Sequence, residues 1–313
     1  MGKIYTALNE SDSECDDDPL LKPTSMTDDE ITFSDGVVIP RLKVMNWKNT
    51  KVFEPDACVV VNGRRRTGKT TLTLGALYEV CHYWKMVYVF SETANVNVQF
   101  EVVPPNCVFE EFTDGACEKL LDVAARMHLR DKGQYMLIIL DDVVHNVDFT
   151  GSPSVRKLAT LGRHYGIGMW ILSQYVKRVP PVVRENADLT IMLIQSGLYS
   201  NEMAIKDSLA TIPTIPARKR LLAYYTQDHG ALIIHSTGDS NTAKRTLFYY
   251  KAPFPPPKYK LGSKKFWDAN TIKAQEKEQE ADEEEVIEGE GQAVEEMEAA
   301  DPDQERIRRF IYG

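Results

Sequence analysis

The residues best suited to chemistry lie in one stretch, 63–70, which reads GRRRTGKT. This stretch matches the phosphate-binding pattern G-x-x-x-x-G-K-[ST], and it directly follows the apolar run 57–61. In such a loop, glycines let backbone N–H groups surround phosphate oxygens, the lysine reaches the β- and γ-phosphates, and the last hydroxyl ligates Mg²⁺. Lys69 and Thr70 hold those two positions. The sequence therefore predicts a site for a nucleoside triphosphate with Mg²⁺.

The interior of this loop is unusual because three successive positions are arginines. Three cations beside a triphosphate indicate either further phosphate contacts or a nearby polyanion. We expect the whole loop and the residue after it to bind the nucleotide, which gives the set Gly63, Arg64, Arg65, Arg66, Thr67, Gly68, Lys69, Thr70 and Thr71.

A pair of aspartates follows a later apolar run. Asp141 and Asp142 come directly after LIIL at 137–140, a pattern typical of a buried strand. Such a strand carries its last residues to the carboxyl edge of a parallel sheet, where the phosphate loop also lies. We expect Asp141 to hold Mg²⁺, directly or through water, and Asp142 to act as general base on the attacking water. Glu92, at the end of the second predicted strand, is the alternative acid.

Three more polar side chains are candidates for catalytic roles. Gln174 ends the fourth predicted strand, where an amide can bond the γ-phosphate or the attacking water and sense which nucleotide is bound. An arginine that projects from one subunit into a neighbour's site stabilises charge in the transition state. Arg163, before the fourth strand, is the first candidate for this role, and Arg184, after it, is the second.

The elements that must position these residues follow from alternating apolar runs and helical stretches, which predict an α/β fold with a mostly parallel sheet and helices on both faces. The predicted strands are 57–62, 86–91, 136–141, 167–173 and 189–194, and the predicted helices lie near 68–83, 114–129, 153–164 and 200–210. A final pair of runs, 231–236 and 245–250, flanks the turn residues GDSN and predicts a C-terminal β-hairpin.

Charge is distributed unevenly along the 313 residues. Residues 1–36 carry −8, residues 276–305 carry −14 and residues 306–313 carry +3, so that +10 remains on residues 37–275 of a chain whose net charge is −9. A basic central part favours a polyanionic partner such as nucleic acid. The predicted organisation is an acidic disordered segment 1–36, a P-loop domain 37–260, and an acidic, largely disordered tail 261–313.

Cysteine usage and hydropathy indicate the compartment. The five cysteines are widely spaced without a C-x-x-C pair, which favours reduced thiols in an intracellular protein. We expect neither a secretory signal nor a membrane span, because no apolar run approaches the necessary length. The first residues, MGKIYT, match the pattern for N-myristoylation at Gly2, although a single acyl chain gives only marginal membrane contact.

Taken in order, GRRRTGKTT, SETANVN, LIILDD, LGRHYGIGMWILSQ and VPPVVRENAD resemble one family, across residues 40–250. It is the genome-packaging ATPase of the nucleocytoplasmic large DNA viruses (poxvirus type), with relatives in virophages and polinton-like elements, in the FtsK/HerA group of P-loop translocases. The resemblance implies a RecA-like ATPase core that binds ATP and Mg²⁺. It also implies a ring, a pentamer or a hexamer, that drives double-stranded DNA into a capsid, with capsid or portal and vertex proteins as partners.

By position in those motifs, the resemblance gives Lys69 and Thr70 the phosphate and the metal, and Asp141 and Asp142 the acidic pair. Gln174 becomes the sensor and Arg163 the intersubunit arginine. Many members of the wider group have Glu where this chain has Asp142, which leaves Glu92 open as the base. The implied location is the virion or the assembly site in the host cell. On charge density, Lys177–Arg178 and 218–220 are candidates to grip DNA.

Other functions remain open on the sequence alone. A different P-loop translocase or helicase fits the motifs, whereas a terminase needs a nuclease domain for which the chain has no spare block. A GTPase is disfavoured because no N-K-x-D motif follows the fourth strand. A nucleotide kinase would need a lid and an acceptor site. A scaffold that uses ATP to assemble at a capsid vertex is the alternative from another class.

Overall fold

The computed structural model describes residues 22–93, 98–143, 147–194, 209, 211–236 and 246–271. Its strands are β1 (Pro23–Met26), β2 (Glu30–Phe33), β3 (Val38–Pro40), β4 (Lys43–Val44), β5 (Cys58–Asn62), β6 (Trp84–Ser91), β7 (Val108–Phe109), β8 (Tyr135–Asp141), β9 (Ile167–Ser173), β10 (Leu189–Met192), β11 (Ala231–His235) and β12 (Leu247–Tyr250). Its helices are α1 (Lys69–Glu79), α2 (Asp114–Arg130), α3 (Val147–Gly151), α4 (Pro153–Leu161), α5 (Pro181–Glu185) and α6 (Ile215–Tyr225). A further helix covers 264–271.

The described residues form two compact units. The first contains the described residues up to Val103 and from Cys107 to Ser263, and the second contains Pro104–Asn106 and the helix at 264–271. In the second unit, the Asn106 side-chain amide donates to the Asn270 carbonyl at 3.0 Å. All residues of the predicted site belong to the first unit.

The first unit is built on a nine-stranded sheet, in the described residues, with the order β4-β12-β11-β10-β5-β9-β8-β6-β7. The strands from β10 to β7 all pair in parallel, and β11 pairs antiparallel with β10 and with β12. Every residue of β5 and β9 is buried, as expected for strands covered on both faces. The predicted α/β fold with a mostly parallel sheet is confirmed.

The helices lie on both faces because the chain reverses direction across the sheet. The connection from β5 through α1 to β6 moves one way along the strand order, whereas those through α2, α4 and α5 move the other way. Parallel crossovers are right-handed, so opposite directions place helices on opposite faces. One buried core accordingly joins alternate residues of β5, Cys58 and Val60, to residues of α2, α4 and α5, including Leu121, Leu158 and Val183.

The prediction of disorder for 1–36 is wrong for residues 23–36. β1, β2 and β3 form an antiparallel three-stranded sheet, and Ile31 and Phe33 are buried against α6 residues such as Leu221. The acidic composition hid the alternation Ile31-Thr32-Phe33, which is the pattern of a half-buried strand. Asp35 forms an ion pair with Arg220, whose guanidinium also lies over the Phe33 ring at 4.8 Å. Residues 1–21, including Gly2, lie outside the described part.

The C-terminal boundary also differs from the prediction. The first unit continues through Ser263, and 264–271 is helical, whereas the predicted domain ended at 260. The tail from 272 onward lies outside the described residues, as do the predicted helix 200–210 except for Leu209 and the turn between β11 and β12. Within the described parts of the chain, no helix has the length and hydropathy needed to cross a bilayer.

A close approach between strand and loop gives a test of the fold. A Cβ atom added at Gly168 in β9 would lie 2.4 Å from the backbone oxygen of Pro55 and 3.2 Å from Trp84 Nε1. Because the Trp84 indole also donates to that oxygen at 2.8 Å, the backbone there has little room to move. We expect Gly168→Ala to lower the free energy of unfolding by about 1 to 3 kcal/mol in urea denaturation.

Gly115→Ala is the matched control. Gly115 lies in the first turn of α2, where an added Cβ meets nothing within 4 Å. Alanine favours a helix over glycine by about 0.5 to 1 kcal/mol, so this variant should be as stable as the native chain or more stable. Equal effects of the two substitutions would contradict the close packing of β9 against the backbone of Pro55.

Candidate nucleotide-binding site

The phosphate loop joins the end of β5 to the start of α1, as the motif predicts. The Gly63 N–H donates to the Ser173 carbonyl at 3.2 Å, and a Cβ on Gly63 would lie 2.8 Å from Thr67 Oγ1. Gly68 caps α1 with φ of +87°, a left-handed conformation that glycine adopts without strain. The loop therefore directs the first turn of α1, with its free N–H groups and positive dipole end, toward the carboxyl edge of the sheet.

Lys69 is buried at the base of this loop. Its ammonium donates to the Arg64 carbonyl at 3.4 Å, and the Thr67 hydroxyl donates to the same oxygen at 2.8 Å. Burial lowers the pKa of Lys69, and the charges of Asp142 and Asp141 act in the opposite direction. The lysine is thus a desolvated cation that faces two carboxylates, an arrangement in which an added phosphate is strongly attracted.

Asp141 ends β8 as a buried carboxylate. Ser91, at the end of the neighbouring β6, donates its hydroxyl proton to Asp141 Oδ2 at 3.3 Å. The pKa of Asp141 is raised to about 7, mainly by burial and in addition by the charge of Asp142, while Lys69 and the hydrogen bond from Ser91 oppose the increase. Near neutral pH, a carboxyl group with this pKa is partly neutral and partly charged, and a bound cation stabilises the charged form.

Asp142 stands next to it in a left-handed backbone conformation with φ of +54°. Aspartate is several-fold enriched in this region among non-glycine residues, which gives a physical reason for Asp at this position. Gln174 donates its side-chain amide to Asp142 Oδ2 at 2.9 Å. The other oxygen, Oδ1, is buried and has no hydrogen-bond partner among the described residues. One oxygen of Asp142 is therefore fixed by Gln174, and the buried acceptor would be satisfied by a water or a ligand that enters the site.

These groups line one cavity of about 980 Å³, a size suited to a nucleotide. Of the predicted site residues, the cavity brings together Arg65, Arg66, Gly68, Lys69, Thr70, Thr71, Asp141, Asp142 and Gln174. Gly63, Arg64 and Thr67 do not line it but shape the loop through the contacts described above. Arg65 and Arg66 are exposed, and neither forms an ion pair with another described residue.

The arginine candidates lie elsewhere. Arg163 precedes β9, at the amino edge of the sheet, and donates to Asp188 Oδ1 at 2.8 Å. Asp188 in turn accepts from the Cys58 N–H at the start of β5. Arg184 lies in α5, with a buried Nε that has no partner among the described residues. Neither arginine lines the cavity of its own chain, and Glu92 does not line it either.

The far wall of the cavity consists of residues that no sequence pattern indicated. Asp228 and His229 form a turn before β11 with φ of +46° and +58°, and His229 Nδ1 lies 3.4 Å from the Thr67 carbonyl oxygen. Lys251, after β12, forms an ion pair with Asp228, and Phe254 lies three residues further on. These residues reach the loop only because β11 and β12 join the sheet beside β10. Their local sequence carries no recognisable motif, so a sequence pattern could not have found them.

The donors in the cavity fit a magnesium ion. The hydroxyl of Thr70 and the carboxylates of Asp141 and Asp142 are hard oxygen ligands, the type that Mg²⁺ prefers together with phosphate oxygens. The unpartnered Asp142 Oδ1 and the raised pKa of Asp141 are the features that a bound cation or its water would relieve.

No family model matches the chain. It is 25% identical over 199 residues to uncharacterized protein 088R of Invertebrate iridescent virus 3, which covers 63% of this chain and 76% of that protein. It is 22% identical over 213 residues to uncharacterized protein 015R of Frog virus 3 (isolate Goorha), 67% of this chain and 66% of that one.

Two solved structures are also similar. The genome packaging NTPase B204 of Sulfolobus turreted icosahedral virus 2, in complex with ATP-gammaS, has a TM-score of 0.45 and 20% identity, over 64% of this chain and 99% of that one. The pCW3 conjugation coupling protein TcpA with ATPgS has a TM-score of 0.44 and 16% identity, over 74% and 67%.

The raised pKa of Asp141 predicts an unusual dependence of stability on pH. Because the folded-state pKa of about 7 lies above the ordinary value of 3.8, the native chain holds this proton more tightly than the unfolded chain. The contribution of Asp141 to stability is therefore present at low pH and is lost as the pH rises toward 7. Without metal or nucleotide, Asp141→Asn should raise the free energy of unfolding by about 1 to 4 kcal/mol at pH 8 and by much less at pH 5.

Urea denaturation at the two pH values, in the presence of a chelator, measures this difference. Asp122→Asn, on the exposed face of α2, controls for the loss of one negative charge. An Asp141→Asn effect of the same size at pH 5 and pH 8 would contradict the proposed burial of this carboxylate.

Proposed function

We propose that this chain is the ATPase subunit of a ring motor that drives double-stranded viral DNA into a capsid. The observation that carries the proposal is the cavity in which a phosphate loop, two strand-end aspartates and Gln174 face one another. The ordered motifs that resemble packaging ATPases support the DNA-translocating role, and the similar proteins 088R and 015R come from viruses. The roles given below to individual residues are part of this proposal.

In this proposal, the phosphate loop binds the nucleotide. The backbone N–H groups at the start of α1 and the Lys69 ammonium hold the β- and γ-phosphates, and the Lys69 proton that now bonds the Arg64 carbonyl is free to turn to a phosphate oxygen. Arg65 and Arg66 add charge from the exposed side. Thr70 and Asp141 would hold Mg²⁺, which neutralises charge on the phosphates when it is bound.

In this proposal, Asp142 and Gln174 act in the hydrolysis step. We assign the proton of the attacking water to Asp142 Oδ1, a buried acceptor with no partner among the described residues, because the other oxygen is held by Gln174. Gln174 therefore positions the base in addition to contacting the nucleotide. A change in what occupies the γ-phosphate position would alter this hydrogen bond, which is how the glutamine would sense nucleotide state.

A ring of five or six subunits would complete each site with an arginine from a neighbour. Arg163 is the first choice for this role, and its guanidinium would exchange the Asp188 carboxylate for the neighbour's γ-phosphate. Arg184, whose buried Nε has no partner among the described residues, is the second. Both lie outside the cavity of their own chain, as a residue that acts between subunits must.

The basic central part of the chain would contact DNA phosphates without reading sequence. Of the candidate grip residues, Arg220 and Arg218 are engaged in the fold, since Arg220 pairs with Asp35 and Arg218 donates to the Ile212 carbonyl at 2.6 Å. Lys177 and Arg178, in the short helix Val176–Arg178 that follows Gln174, and Lys219 in α6 are exposed, and they are the candidates. Capsid, portal or vertex proteins are the proposed partners, and the virion or the assembly site is the proposed location. Membrane contact through acylated Gly2 is a further proposal.

DNA-stimulated ATP hydrolysis tests the motor function. Steady-state turnover with Mg²⁺ should rise on addition of long double-stranded DNA, and the stimulation should weaken steeply with salt. Lys69→Ala removes the cation that contacts the transferred phosphate, so it should lower turnover by about 100-fold or more. Assembly that proceeds with a non-hydrolysable analogue, combined with turnover that DNA leaves unchanged, would instead indicate a scaffold.

Paired substitutions identify the general base. Asp142→Asn keeps an oxygen for Gln174 but cannot accept a proton, so kcat should fall by about 100- to 10,000-fold while ATP still binds. Glu92→Gln, an exposed residue outside the cavity, should leave kcat within about twofold of the native value. The reverse pattern would assign the base to Glu92.

A further inference from the structure

The chain that leaves β12 returns across α1 and forms one wall of the nucleotide cavity. We refer to residues 251–263 as the C-terminal strap. A Cβ added at Gly75 would lie 2.8 Å from Ala252 Cβ and 3.3 Å from Pro253 Cδ, so the strap lies directly on the helix that follows the phosphate loop. Tyr259 donates its hydroxyl proton to the carbonyl of Leu74, the neighbouring residue of the same helix, at 2.6 Å.

The strap is held at both ends. At its start, Lys251 pairs with Asp228 in the turn that contacts the phosphate loop. Near its end, the Leu261 N–H donates to the Val102 carbonyl at 2.7 Å, and the Ser263 N–H donates to the Lys85 carbonyl at 2.9 Å. The four prolines at 253, 255, 256 and 257 restrict the backbone between these anchors. A wall fixed in this way loses little conformational entropy when a ligand binds against it.

One side chain of the strap is more exposed than we expect for a segment that only supports the fold. Phe254 is 86% exposed, although it is a large apolar side chain, and it lines the same cavity as Lys69 and Asp141. Within the described part of the chain, no other aromatic ring packs on it. An aromatic face left open to water inside a ligand cavity is suited to stacking on a flat ligand group.

The two ends of the cavity differ in chemistry. The sheet edge contributes Asp141, Asp142 and Gln174, which suit the reacting phosphate and its metal. The side formed by α1 and the strap contributes Leu72, Ala252 and Phe254, which have no charge, beside Lys251, whose ammonium is paired with Asp228. A nucleotide anchored through its phosphates on the loop has only one apolar, flat group left to place, the base.

We propose that Phe254 is the stacking platform for the nucleobase. This inference rests on the proposed nucleotide site and adds the residue that recognises the non-phosphate end. An aromatic platform contacts the face of the base, not its hydrogen-bonding edge, and every base has such a face. Purines, with the larger face, therefore bind better than pyrimidines, and ATP and GTP bind with similar affinity.

A comparison of two ligands tests the platform in the full-length chain. Calorimetric titration with Mg²⁺ measures the affinity for ATP and for inorganic tripolyphosphate, which has the phosphates without the base. Phe254→Ala should weaken ATP binding by about 5- to 100-fold and leave tripolyphosphate binding within about twofold. Phe254→Trp, which keeps an aromatic face, should retain the native affinity for ATP.

Leu129→Ala is the matched control, because Leu129 on α2 is 85% exposed and lies outside the cavity. It should change neither affinity. Equal weakening of both ligands by Phe254→Ala, or no weakening of ATP binding, would overturn the platform. Failure of the nucleotide site itself has a different signature: the native chain would bind neither ligand, or Lys69→Ala would bind both as well as the native chain does.

Discussion

The burial of one lysine against two aspartates is the interaction on which the rest of the site depends. Lys69 and Asp141 are buried and Asp142 is half-buried beside them. Burial lowers the pKa of Lys69 and raises the pKa of Asp141, and the charge of Asp142 raises both. The described residues do not fully satisfy these groups, since among them Asp142 Oδ1 has no partner and the Lys69 ammonium bonds a backbone carbonyl at 3.4 Å. A triphosphate with its metal ion would satisfy the lysine and the aspartates together, because it brings anionic oxygens to Lys69 and a cation to the aspartates.

The order of the strands makes this arrangement possible. β9 lies between β5, which leads into the phosphate loop, and β8, which ends in the aspartates. Its last residues tie the two together, because the Ser173 carbonyl accepts from the Gly63 N–H and the Gln174 amide donates to Asp142. The short helix with Lys177 and Arg178, the proposed contact with DNA, follows this strand end directly.

Local sequence patterns predicted those parts of the fold and of the site where residue type and periodicity are distinctive. The loop motif, the buried runs before Asp141 and before Gln174, and the antiparallel pairing of β11 with β12 follow from periodicity and residue type. Ordering of β1 and β2 was missed because the acidic composition outweighed the short apolar alternation. The strap and the turn at Asp228 were missed because their role depends on where distant strands enter the sheet. The position of Arg163 at the amino edge likewise follows from topology, which spacing along the chain does not reveal.

The central claim is that a triphosphate and its metal ion are held together between the phosphate loop and the strand-end aspartates. Electron–nuclear double resonance with Mn²⁺ in place of Mg²⁺ and a slowly hydrolysed ATP analogue tests it directly. The account predicts one bound Mn²⁺ per chain that is coupled to phosphorus nuclei of the nucleotide, with the signal lost in Lys69→Ala and weakened in Asp141→Asn. Bound Mn²⁺ without phosphorus coupling, or a coupled signal that both substitutions leave unchanged, would contradict the account.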